Sequence, residues 1–220
     1  MKLKNLNISN RAKETTMFLV IFYLVGILGL VLPFSYEFFL KLIPFALILS
    51  FVILSIFHIE KLNKNSAILF ICIFLIGFII EAIGVKTKVI FGDYYYGNSL
   101  GFKIFNTPII IGINWLFLVY TTSSVVEKLK INSTFKIILA SIFMLVYDIV
   151  LEQVAPKMDM WHWKNDLVPI QNYIAWFVIA LFMNSLLQLF KINTQNKIAM
   201  TILICQFVFF LLLFILLGKP

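Results

Sequence analysis

The fold class predicted for this chain is an all-α integral membrane protein with about seven transmembrane helices, and three observations predict it. First, 62% of its 220 residues are hydrophobic and only 13% are charged, whereas a soluble domain carries ~45–50% apolar and ~25% charged residues. Second, the mean hydropathy is +1.01, which also excludes a disordered chain. Third, uncharged stretches recur at about the length needed to cross a bilayer, ~20 residues. Cys72 and Cys205 both lie inside apolar runs, so no disulfide framework is implied. The net charge of +8 reads as membrane topology rather than nucleic-acid binding.

The uncharged stretches fall at 15–36, 42–57, 65–80, 104–126, 137–147, 167–190 and 198–218. The first reads as an anchor rather than a cleaved signal, because Leu30 to Phe39 contains Pro33 and bulky side chains but no small-residue cleavage site. The second has Pro44 near its start, a place suited to the first helical turn. The third reaches full length only by taking in Glu81. The fifth is too short to cross unless its helix carries Asp148 and Glu152 into the membrane. With the amino terminus inside, eleven of the 18 Lys and Arg residues fall on the inner side and seven on the outer, which favours a cytoplasmic amino terminus. Residues 1–220 thus read as one polytopic membrane domain with a polar cytoplasmic tail at 1–14. The long loops 82–105 and 153–168 are expected outside.

A faint duplication runs through the third to sixth helices. Glu81 is followed by Tyr94, Tyr95 and Tyr96, then Pro108 and, seven residues on, Trp115. Asp148 and Glu152 are followed by Trp161 and Trp163, then Pro169 and, seven residues on, Trp176. Asparagine recurs as Asn114 and Asn172. Each copy is a two-helix hairpin (helices 3–4 and 5–6), so the pair reads as a parallel repeat about an axis along the membrane normal.

The geometry of straight helices draws the acids together. Asp148 lies ~18 Å and Glu152 ~24 Å along the fifth helix from Lys136, and Glu81 ~22 Å along the third from Ser66. Asp148 and Glu152, four apart, share a face. A charge near the middle of a membrane helix costs ~2.5–3.5 kcal/mol, less toward the interface, so three at one level require an explanation. Either they form a site, or they hydrogen-bond neighbouring loops or pair with Lys86 and Lys88. Trp and Tyr belong to any interfacial belt, but the clusters Tyr94–Tyr96 and Trp161–Trp163 sit beside these acids. His58 reads as a loop residue on the opposite side. His162 reads as either an interfacial residue or a proton relay.

Absences narrow the chemistry. No G-x-G-x-x-G occurs, which excludes a Rossmann flavin domain. The chain has two histidines and no H-E-x-x-H, arguing against a metal oxygenase or zinc protease. No lysine lies between Lys197 and Lys219 to form a retinal Schiff base. A magnesium-diphosphate enzyme needs two acidic clusters; Asp148 with Glu152 is one, and Glu81 with Asp93 is a poor second.

The segments Glu81 to Thr87, Phe91-Gly92-Asp93-Tyr94-Tyr95-Tyr96-Gly97, Pro108 and Asn114-Trp115 resemble the carotenoid biosynthesis membrane-protein family, which includes carotenoid hydratases such as bisanhydrobacterioruberin hydratase. The run from Asp148 through Glu152, Trp161-His162-Trp163 and Pro169 to Asn172 and Trp176 is similar to the family's second block. The resemblance covers about residues 70–190. It departs from the family pattern at Lys88, where glycine is usual, and at Gln153, where proline is usual.

The resemblance implies an enzyme of a bacterial or archaeal cell membrane. Its substrate would be an acyclic, lycopene-like carotenoid, and its partners membrane lipid and other carotenoid biosynthesis enzymes. Adding water across a terminal C=C needs an acid, a site for a tertiary cation and a positioned water, and no cofactor or metal. Glu152 is the expected proton donor, with Asp148 as its partner and Glu81 as the water-positioning base. Asp93, Tyr94, Tyr96, Trp115, Trp161, Trp163, Asn172 and Trp176 are the expected substrate-binding residues, aromatic faces steadying the cation. A carotenoid cyclase or other prenyl-chain-modifying enzyme would begin with the same protonation. A non-catalytic carotenoid binder or transporter is the alternative outside enzymes.

Overall fold

The computed structural model describes residues 2–60 and 62–218, with side chains from residue 11 onward. Seven helices follow one another: α1 (Lys2–Val31), α2 (Tyr36–Ile56), α3 (Lys64–Thr87), α4 (Ile110–Glu127), α5 (Ser133–Glu152), α6 (Ile170–Leu189) and α7 (Ala199–Leu216). All seven contain a stretch long and apolar enough to cross a membrane, beginning at Arg11 in α1. The protein is a multi-pass membrane protein, as its hydropathy predicts. The polar segment from Lys2 is helical and continuous with the first span.

Two local rules explain the cleanest helix starts. Asn63 and Asn132 each precede a helix, and their side chains accept from the backbone N–H of Ser66 and Phe135, both at 2.9 Å, as N-cap residues do. Counting uncharged residues misplaces α2. That helix begins at Tyr36, so Lys41 lies within it and Pro44 sits well inside rather than in the first turn. Lys41 is exposed in the second turn of α2, where a lysine reaches the interface without ending a span. Proline within a membrane helix is tolerated where neighbouring elements compensate for the lost hydrogen bond.

The bundle is arranged around α4, which packs against α2, α3, α5, α6 and α7. Inside the protein, 78% of α4 is buried, against 17–39% for the other spans, and its hydropathy of 1.3 is the lowest of the seven. A helix surrounded by other helices need not be lipid-like, so it can carry Thr121, Thr122, Ser123 and Ser124, all buried. Thr121 and Thr122 donate to the carbonyls of Phe117 and Leu118 at 2.8 and 2.7 Å, and small side chains let helices approach closely.

Between the long helices the loops form small sheets. β1 (Tyr94–Tyr96) pairs antiparallel with β4 (Trp161–Trp163), in the register Tyr94–Trp163, Tyr95–His162 and Tyr96–Trp161. β2 (Lys103–Ile104) and β3 (Thr107–Pro108) form a hairpin leading into α4. The loops 82–105 and 153–168 are therefore stitched into one cap at the end of the bundle where α3 and α5 finish and α4 and α6 begin.

Candidate functional site

Beneath this cap lie the three intramembrane acids, all buried. Strand alternation aims the cap's aromatics at them, since successive side chains point to opposite faces. Tyr94 and Tyr96 face inward and Tyr95 outward; Trp161 and Trp163 are buried and His162 is not. His162 stacks on Tyr95, with ring centroids 5.2 Å apart, and bonds Asp159 at 2.9 Å. It is a residue of the outer face of the cap.

Glu81 accepts the hydroxyls of Tyr94 and Tyr96 at its Oε2, each at 2.7 Å, and the indole N–H of Trp115 at Oε1, 2.9 Å. Glu152 accepts the indole N–H groups of Trp161 and Trp163 at its Oε2, 3.0 and 2.7 Å, and the Asn172 amide at Oε1, 3.3 Å. The same amide nitrogen donates to Asp148 Oδ2 at 3.1 Å. Asp148 Oδ1 is buried without a hydrogen-bond partner. Among the described residues no Lys or Arg pairs with these acids. The loop hydrogen bonds weighed in the sequence are present, whereas Lys88 turns to Asp93. Burial, and then the charge of Glu81, holds the Tyr94 and Tyr96 protons well above the usual phenol range, so both remain donors.

Glu81 and Glu152 both line a cavity of about 20 Å³, walled by Tyr94, Tyr96, Asn114, Trp115, Trp161, Trp163, Asn172 and Trp176. A cavity needs ~10–15 Å³ to hold a water molecule, so this one suits about one. Trp115 and Trp176 stack beside it, centroids 4.1 Å apart and planes 22° from parallel. Gly77 makes room for Trp115: a Cβ there would lie 2.6 Å from the Trp115 Cβ.

Ten of the eleven anticipated residues thus gather at one place, with Asp148 beside the cavity wall rather than on it. Asp93 does not join them. It is partly exposed and held by Lys88 at 2.8 Å and Lys164 at 3.2 Å, and the hydrogen bond from Lys88 keeps its carboxyl below the ordinary range. Its position in a motif suggested a site role; its neighbours make it a clasp between the two loops. Phe91, Ile111 and Asn114 also line the cavity. Asn114 stood out as a repeated asparagine and Phe91 lay in a quoted motif, whereas Ile111 in an apolar helix carries no signal. Among the described residues no group of three or more His, Cys, Asp or Glu is placed to hold a metal.

Fold and site together define a multi-pass helical membrane protein with paired carboxylates under an aromatic cap. The chain matches the carotenoid biosynthesis protein family over residues 42–219 and belongs to that family. The match includes all three acids and the whole cap, and extends beyond the segment 70–190 that carries the quoted residues. No curated protein and no solved structure matches the chain. Family membership places the protein in carotenoid biosynthesis.

Proposed function

We propose that the protein is a cofactor-independent hydratase that adds water across the terminal C=C of an acyclic, lycopene-like carotenoid. The observation that carries this reading is a cavity with room for about one water, bounded by two glutamates from different helices and a stacked pair of indoles. Glu152 gives its proton to the less substituted CH carbon of the terminal C=C, and the C=C electron pair forms the new C–H bond. The tertiary cation left behind lies against the aromatic faces of Trp115 and Trp176, which attract positive charge. Water forms the C–O bond to the cation and passes a proton to Glu81. Proton exchange with solvent then resets both acids.

The donor shell of Glu152 supports its role. Two indole N–H groups and an amide already point at the oxygens where negative charge develops as the proton leaves, and such preorganised donors stabilise the transition state without reorganisation. Asp148, one turn deeper and tied to Glu152 through Asn172, steadies the cation. The end group is larger than the cavity, so its entry requires the aromatic walls to part.

Expression in a lycopene-producing host, followed by mass analysis of the pigments, tests the reading. A gain of one water mass per reacted end supports hydration. A new pigment of unchanged mass would assign a cyclase, and unchanged pigment beside well-inserted protein would count for a non-catalytic binder. The acids cluster at one end of the bundle, which favours chemistry over a through-path for transport.

We also infer that the two hairpins are parallel repeats, since a two-fold axis along the membrane normal generates an antiparallel strand pair like β1 and β4. We place the amino terminus and segment 1–14 in the cytoplasm and the cap outside. Cysteines at Asn98 and Asn165, in a chain lacking Cys72 and Cys205, should react with an impermeant thiol reagent in intact cells. Labelling only after permeabilisation would reverse the orientation.

A further inference from the structure

The cavity between the glutamates leaves no room for the rest of a polyene, yet a second space lies nearby. A groove of about 510 Å³ opens between α1, α2 and α7, with Met158 and Met160 of the loop after α5 at its edge. We propose that this groove is the seat of the polyene chain of the substrate. The inference rests on the hydratase reading only for what happens at the chain's reacting end.

Four observations lead to a conjugated chain. The groove follows α2 from Phe39 to Val52, a length of ~20 Å along a helix, and so suits something long and thin. Tyr23 and Gln206 are its only polar lining residues among those described, and both oxygens are engaged: Tyr23 with Ser50 at 2.7 Å, and Gln206 Oε1 by the Tyr147 hydroxyl at 3.0 Å. Phenyl rings and the two thioethers make much of the wall. Aromatic faces and polarisable sulfur suit a conjugated chain better than a saturated one. Phe45, Ile48 and Val52, which line the groove, are also exposed on the lipid side (69%, 43% and 45%), so a bilayer-dissolved pigment can enter sideways.

The groove borders the acid site along the chain, at two places. Met160 at its edge immediately precedes Trp161, whose indole N–H bonds Glu152. Tyr147, which holds Gln206, immediately precedes Asp148. Met158 and Met160 are themselves buried. Unbranched thioethers re-pack readily, which makes this pair the gate through which the chain's end group reaches the glutamates.

The test fills the groove. Ala46→Trp places a large ring within it, Val178→Trp places the same ring on the lipid face of α6 outside it, and Glu152→Gln removes the reacting proton. Each is expressed in lycopene-accumulating cells and purified in mild detergent, and bound polyene per protein is read from its visible absorbance. Wild type, Val178→Trp and Glu152→Gln should carry pigment, while Ala46→Trp should lose it ~10-fold or more, the effect expected of overfilling a packed site. Pigment retained by a well-inserted Ala46→Trp would overturn the groove while leaving the hydratase reading intact. A wild type that carries only phospholipid would overturn it too, as a lipid seat. Pigment bound and lost as expected, but never hydrated, would uphold the groove and refute the hydratase.

Discussion

The hairpins α3–β1–α4 and α5–β4–α6 place their glutamates alike and differ one turn below. Each carries, in the C-terminal third of its first helix, a buried glutamate that accepts two aromatic donors from the following strand: phenols for Glu81, indoles for Glu152. Four residues earlier stands Gly77 in one and Asp148 in the other. In the first hairpin that position is given up so that Trp115 can press against α3 and reach Glu81. In the second it holds another carboxyl, bridged to Glu152 by Asn172. One hairpin thus supplies a single anchored acid and an aromatic wall, the other a coupled acid pair. On the proposed mechanism, the first hairpin handles water and the second donates the proton.

The largest expected effect comes from removing the transferable proton. Glu152→Gln keeps size and should lower hydration by roughly 10²–10⁴-fold, the usual worth of general acid–base catalysis, measured as hydrated pigment per membrane-inserted protein. If Glu152→Gln, Asp148→Asn and Glu81→Gln all insert normally and retain near-full turnover, the mechanism is wrong.

Removing one donor from each glutamate separates their roles. Trp163→Phe should slow hydration by roughly 10- to 100-fold, because a hydrogen bond to a charged group is worth ~1.5–3 kcal/mol and negative charge grows on Glu152 in the transition state. Tyr94→Phe should cost much less, since Glu81 loses negative charge as it takes a proton from water. Equal losses in the two variants would show the hairpins to be chemically equivalent.

Gly77→Ala attacks the packing side of the comparison. Its Cβ collides with Trp115, and overpacking of this kind costs ~1–3 kcal/mol, visible as a lower melting temperature of the purified protein. An unchanged melting temperature would mean that α3 and α4 shift apart freely.

The smallest effect is expected at Lys88. It caps α3 with φ 61° and ψ 8°, in the left-handed region, where glycine carries no steric penalty. Lys88→Gly relieves that strain but releases Asp93 to Lys164 alone. The two changes oppose each other, so the melting temperature should move by about 2 °C or less. A large fall would make the Lys88–Asp93 clasp essential to the cap.

How much of this was legible in the sequence follows from the range over which each force acts. Hydropathy accumulates along a single helix, so seven spans could be read locally, and a charge within an apolar run identifies itself, as Glu81, Asp148 and Glu152 do. Lys41 shows the limit of that reading: a charge at a helix end reaches water and breaks nothing, and the start of α2 was misplaced on its account. Partners far apart in the chain were settled only by packing. Tyr94 could be seen as an aromatic beside an acid, but its register opposite Trp163 depends on two loops meeting. The same holds for the stacking of Trp115 on Trp176, the exile of Asp93 to the surface, and the groove shared by α1, α2 and α7. By itself the sequence determined which residues enter the membrane, because transfer free energy is a property of each segment. Tertiary structure decided which oxygen each indole and phenol would face, because a hydrogen bond depends on where two separate helices come to rest.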